Sequence, residues 1–137
     1  MAVLPDMIGI VAKDVGASLR FYRLLGLAIP EGAEEENYVE VTSPNGYRIS
    51  WNSVDMMKSI LPEWQDPIGH KIELAFKCDT PDEVDKIYQQ LIEAGNRSCK
   101  SPWDAFWGQH YAIIYDPDEN PISLFSPLKI DGNTVNQ

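Results

Sequence analysis

The sequence predicts an α+β fold: two βαβββ repeats whose strands form a curled mixed sheet, a cup. Three observations point to it. Each half opens with an apolar strand-like run that leads into a strongly capped amphipathic helix. Each helix is followed by three further strand-like pieces. Registering the halves on their caps aligns Asp14 with Thr80, Phe21-Tyr22 with Ile87-Tyr88, and Pro44 with Ile49-Ser50 on Pro117 with Ile122-Ser123. Repeat one spans about residues 5–52, a linker 53–69, and repeat two about 70–127. A ferredoxin-like sheet fits three strands after each helix less well.

Repeat one begins with an apolar strand at 7–13, and Asp14 then supplies a helix N-cap. Leu19, Tyr22 and, a turn later, Leu25 recur at helical spacing until Gly26 ends the helix. Strands are predicted at 27–30, 38–42 and 47–52, with Ser-Pro-Asn-Gly at 43–46 as a hairpin turn. Trp51 alternates away from Ser50 and so faces a helix. The linker contains a short helical stretch at 54–60 and a Pro- and Trp-containing segment.

Repeat two starts with a strand at 72–78. Thr80-Pro81-Asp82-Glu83 is a capping box with proline at the first helical position. Val84, Ile87, Tyr88, Leu91 and Ile92 form the apolar stripe, and Gly95 ends the helix. Strands follow at 97–100, 109–115 and 121–125. Asp116 and Asp118 belong to the turn at 116–120, where Asp and Asn side chains accept local backbone hydrogen bonds.

The 137 residues match one domain of common size, with a hydrophobic content of 44% and a charged content of 23% that suit a globular protein. No apolar run approaches the roughly 20 residues of a bilayer span, and the first residues lack the basic region of a signal peptide. No membrane association and a cytoplasmic location are the expectations. Cys78 and Cys99 form no C-x-x-C motif and read as reduced structural thiols. The net charge of −10 argues against nucleic acid, because phosphate binding needs a basic patch. Acidity serves solubility, or favours a cleft for cationic or electron-poor small molecules. Glu31, Glu34, Glu35, Glu36 and Glu40 read as a solvated loop.

The chemistry concentrates between residues 100 and 111, where Trp103, Phe106, Trp107, His110 and Tyr111 share a stretch with loop-forming Pro102 and Gly108. A loop carries several aromatics either to anchor itself in the core or to grip something flat. Trp103 and Trp107 are four apart, a spacing that lets one line a site while the other anchors the loop. No Gly-x-Ser-x-Gly, Walker loop, dinucleotide fingerprint or zinc spacing occurs.

The first strand, the Asp-capped helix ending Phe-Tyr-Arg-Leu-Leu-Gly-Leu, and the late Trp-Gly followed by Asp-Pro-Asp-x-Asn-x-Ile-x-Leu-Phe resemble the vicinal oxygen chelate superfamily. That superfamily holds glyoxalase I, extradiol dioxygenases, thiol transferases and bleomycin-resistance proteins. Pro-Glu-Trp-Gln (62–65), Gly-His-Lys-Ile (69–72) and the stretch 102–113 resemble mitomycin-binding drug-resistance proteins and their drug-sequestering relatives. The resemblance implies a homodimer with shared clefts in which flat antibiotics lie between aromatic side chains. It places the family's metal-ligand positions at Met7, Ser50, Glu73 and Ser123. Only Glu73 is a good ligand there, and a catalytic metal needs about three, so no metal and no cofactor are expected. His70 and His110 fall at none of these positions, so neither is expected as a metal ligand.

The expected function is non-enzymatic binding of a planar aromatic small molecule. Trp103, Trp107, Phe106, Tyr111, Tyr38, Trp64 and His110 are the candidate binding residues, with Glu73 as an acidic anchor. The alternatives are a glyoxalase-type metal-dependent lyase or dioxygenase, and a metal-free enzyme that moves protons with Glu73 or His110.

Overall fold

Two units build the chain in the computed structural model, Met1–Ile68 and Gly69–Gln137. Residues 4–69, 73–130 and 133–134 are described; His70 and the expected start of a strand at residue 72 lie outside them. No described helix is long and apolar enough to cross a membrane.

The first unit runs β1 (Met7–Ala12), α1 (Val15–Leu24), a 3-10 turn (Ala33–Glu35), β2 (Tyr38–Thr42), β3 (Arg48–Ser53) and α2 (Val54–Ile60). Its sheet has the order β1-β3-β2, with β1 parallel and β2 antiparallel to β3. The Asp14 carboxylate caps α1 by accepting from the Ala17 N–H at 3.0 Å. Gly26, at φ 98°, closes the helix in the left-handed conformation that a side chain resists. Trp51 on β3 faces α1; it is fully buried and meets Tyr22 edge-on, ring centroids 5.4 Å apart. Ile10, Leu19 and Ile49 complete this core.

The strand expected at 27–30 does not form. Arg23, in the last turn of α1, occupies the carbonyls a neighbouring strand would need. Its guanidinium donates to Ile29 O at 3.1 Å and Pro30 O at 2.6 Å, and pairs with Glu34 at 2.6 Å. The segment is thereby tied to the helix end.

The second unit runs β4 (Leu74–Lys77), α3 (Pro81–Glu93), β5 (Ser98–Ala105), β6 (Gln109–Tyr115) and β7 (Pro121–Pro127), followed by a small β8–β9 pair (Lys129–Ile130 with Asn133–Thr134). The four-stranded sheet has the order β4-β7-β6-β5, with β4 parallel to β7 and the other pairs antiparallel. Thr80 caps α3 by accepting from the Glu83 N–H at 3.2 Å, while Glu83 accepts from the Asp79 N–H at 3.1 Å. Val84 and Leu91 on α3 and Ala112, Ile114, Ile122 and Leu124 on the sheet are fully or almost fully buried, and α3 packs on β5, β6 and β7.

Residues 101–105 are strand rather than the expected loop. Pro102 lacks the N–H a regular ladder needs, but register shifts between Ser98 and Lys100 and between Lys100 and Trp103 absorb it. The strand then continues to Ala105, and Phe106-Trp107-Gly108 makes a tight hairpin turn. In the turn at 116–120, Asp116 accepts from the N–H groups of Asp118 (2.9 Å) and Asn120 (2.8 Å).

Candidate functional site

In the second unit, strand alternation decides which side chains face away from α3. Ala112, Ile114, Ile122 and Leu124 point to α3, so Tyr111, Ile113, Tyr115, Ser123 and Phe125 take the other face. Cross-strand register then places Lys77, Phe125, Tyr111 and Trp103 in one row across all four strands.

Three rings of that row touch. Trp103 and Tyr111 meet edge-to-face at 5.5 Å, and Tyr111 stacks with Phe125 at 6.2 Å. Trp107, from the hairpin turn, closes on the same rings, 6.0 Å from Trp103 and 5.3 Å from Tyr111. Its indole N–H donates to Gln109 Oε1 at 2.8 Å, and Gln109 is itself buried, so the orientation of Trp107 is set from below. Phe106 packs its edge on Trp107 at 5.1 Å. Trp103, Tyr111 and Phe125 are half-buried. Trp107 is 39% exposed and Phe106 87%. Trp103 is thus the inner ring of the wall, and Trp107 with Phe106 forms its open end.

His110 is register-paired with Asp104, one position along from the Trp103–Tyr111 pair, so it takes the α3 face instead. Its Nδ1 lies 2.7 Å from Asp104 Oδ1, and its Nε2 lies 2.7 Å from Asp85 Oδ1 on α3. Burial of the ring disfavours its charge, but the hydrogen bonds to Asp85 and Asp104 outweigh that and raise its pKa above the ordinary histidine value. A raised folded-state pKa stabilises the fold fully below the unfolded value of about 6.5 and loses that contribution as pH rises through the folded value. Thermal unfolding should therefore show the wild-type advantage over His110→Gln at its full size below about pH 6.5 and shrinking as the pH rises above it. A pH-independent difference would refute the clamp.

In the first unit, the face away from α1 carries Met7 and Gly9 on β1, Tyr38 and Glu40 on β2, and Arg48 and Ser50 on β3. The Tyr38 hydroxyl donates to Glu40 Oε1 at 2.8 Å, which raises the pKa of the phenol, and lies 3.8 Å from Met7 Sδ. Arg48 pairs with Glu40 at 2.6 Å and with Asp6. Gly9 leaves the surface beside the buried Ser50 low, since a Cβ there would come within 3.2 Å of Ser50 Oγ. Trp64 is half-buried in a depression of about 440 Å³ formed by Leu61, Pro62, Glu63 and Gln65, and its indole N–H donates to Asp66 at 3.2 Å. Glu73 is exposed immediately before β4.

The positions that the family resemblance assigns to a metal offer poor donors. Met7 is a thioether, Ser50 and Ser123 are buried neutral hydroxyls, and Glu73 is an exposed carboxylate. One carboxylate with two alcohols and a thioether does not fit a hard or borderline divalent ion. Among the described residues, no group of three or more His, Cys, Asp or Glu side chains converges. Nor is Cys78 a nucleophile at neutral pH, because burial, helped by Glu83 and Asp79, pushes its thiol up to about 11.

The structure therefore gathers Trp103, Phe106, Trp107 and Tyr111 into one wall and gives His110 a separate role on the opposite face. It adds three residues that the sequence reading missed: Phe125, Gln109 and Lys100. The Lys100 ammonium lies over the Trp103 ring, 4.1 Å from its centroid. The register shifts in β5 put them on one face although they are three apart; a Pro within a strand-like run is the sequence signal for such an irregularity.

A family model described as Glyoxalase/Bleomycin resistance protein/Dioxygenase superfamily matches residues 4–124. Among solved structures, a glyoxalase/bleomycin resistance protein/dioxygenase family enzyme from Burkholderia phytofirmans PsJN is similar at TM-score 0.79 and 23% identity, over 90% of this chain and 98% of that one. A glyoxalase-related enzyme from Fulvimarina pelagi is similar at TM-score 0.75 and 19% identity, over 97% of each chain. A glyoxalase/bleomycin resistance protein/dioxygenase from Nocardioides gives 0.72 and 19%, over 100% of this chain and 91% of that one. No curated protein matches. At these identities the likeness to solved structures is one of fold.

Proposed function

We propose that this chain, which belongs to the Glyoxalase/Bleomycin resistance protein/Dioxygenase superfamily, binds a planar aromatic small molecule and holds it without transforming it. The observation that carries this reading is the wall itself, in which Trp103, Trp107 and Tyr111 are in mutual contact and Phe125 extends the row. Its open end keeps Trp107 and Phe106 in water. Large apolar rings held there gain free energy when a flat ligand covers them. Each good ring contact contributes on the order of 0.5 to 1.5 kcal/mol beyond the area buried, so a few reach micromolar affinity.

The donor chemistry at Met7, Ser50, Glu73 and Ser123 favours binding over metal-assisted chemistry, and the bleomycin-resistance name carried by similar structures is consistent with sequestration. The test is calorimetric titration with mitomycin C and a panel of planar aromatics, with recovery of the ligand afterwards. Trp107→Ala should weaken every ligand that binds wild type by about tenfold, the scale of one lost ring contact with its buried area. Unchanged affinity in both Trp103→Ala and Trp107→Ala would end the stacking reading. Recovery of an altered ligand would replace it with an enzyme.

A further inference from the structure

We infer that the wall selects planar aromatics that carry an anionic group, and that Lys100 is the residue that reads the charge. This rests on the wall being the binding surface, as proposed above, and adds the electrostatic sense of the ligand.

The strand residues of this face differ in charge from the chain as a whole. The protein carries −10 overall. Yet the strand residues that register places on the aromatic face include Lys77 on β4 and Lys100 on β5 and no carboxylate. The acid nearest in sequence to the wall, Asp104, is turned to the other face and held by His110 at 2.7 Å. Glu73 stands before β4, on the sheet edge opposite β5. Two carboxylates lie at the margins of this face: Glu73, which alternates with Ala75 and Lys77 at the β4 edge, and Glu119, which is taken up by Arg97 where that guanidinium lies over Tyr115. The strand positions beside Trp103 carry Lys100 and no acid, so anions are attracted there at short range, where the long-range field of the whole chain is screened.

Lys100 is placed to use that patch. It is exposed, and among the described residues it has no carboxylate partner; its ammonium rests on the Trp103 ring at 4.1 Å. This is a weak hold for a cation. It keeps the charge at the level of the rings, where the substituent of a stacked ligand arrives. The row from Lys77 to Trp103 spans three inter-strand spacings, about 14 Å, which accommodates a fused ring system with its substituent at the β5 end. A carboxylate there exchanges a ring face for a charge-assisted hydrogen bond as the better partner of Lys100.

Three matched probes test this by isothermal calorimetry on the full chain: 2-naphthoate, the neutral 2-naphthamide and 2-naphthylmethylammonium. Wild type should bind naphthoate about tenfold tighter than the amide, as a charge-assisted hydrogen bond allows, and the ammonium more weakly than both. Lys100→Met keeps the aliphatic stem and removes the charge; it should erase the preference, bringing naphthoate and amide affinities within about twofold of each other. Added salt should narrow the preference in wild type only. Equal binding of naphthoate and amide, tighter binding of the ammonium, or a preference that survives in Lys100→Met would overturn the inference and leave the aromatic wall standing. Binding of the amide that is unaffected by both Trp103→Ala and Trp107→Ala, or no binding by any probe, would remove the wall as the site and this inference with it.

Discussion

Tyr111→Ala should abolish aromatic binding and lower folding stability by about 2 to 3 kcal/mol, below the usual range for a fully buried aromatic because the ring is half-exposed. Tyr111 is the ring that the others share: it meets Trp103 at 5.5 Å, Trp107 at 5.3 Å and Phe125 at 6.2 Å. Removing it leaves Trp103 and Trp107 in contact with each other but separated from Phe125, so the continuous surface a flat ligand needs is interrupted. Tyr111→Phe keeps the ring and should behave as wild type in both respects. Urea unfolding and calorimetric titration on the same samples separate the two effects. A variant that loses stability but binds undiminished would make the cluster a packing device.

Trp51→Ala should be the most destabilising single substitution considered, at about 3 to 5 kcal/mol by urea unfolding. The side chain is fully buried on β3 and packs edge-on against Tyr22 of α1, so it is the largest side chain in the core between helix and sheet of the first unit. Its indole N–H has no hydrogen-bond partner among the described residues. Trp51→Phe therefore sacrifices volume but also removes an unsatisfied donor, and should cost far less than alanine. A loss below about 1 kcal/mol for Trp51→Ala would mean the site collapses without a cavity.

The legible parts of this fold were those encoded by side chains acting on nearby backbone. Asp14, Thr80 and Asp116 each accept from N–H groups within four residues, and their helices and turn stand where the sequence puts them. The strand expected at 27–30 failed for the opposite reason. Its apolar residues suit a sheet, but Arg23 takes two of its carbonyls, a competition that propensity does not register. The same division holds at the site. Trp103, Phe106, Trp107 and Tyr111 were recognisable by residue type alone. Phe125 joins them through cross-strand register, and Asp85 reaches His110 across 25 residues. Long-range pairing of this kind leaves no periodic trace in the chain.

The irregular start of β5 also separates what can change from what cannot. From Trp103 to Tyr111 the hairpin is held in strict register with its partner strand, whereas Lys100 lies beyond the shift at the other end. A residue gained or lost at 101–102 would be taken up in the irregular stretch, moving the lysine along the edge while the rings stay in place. Chain length at this one point is therefore a variable that sets where the lysine sits independently of where the rings sit.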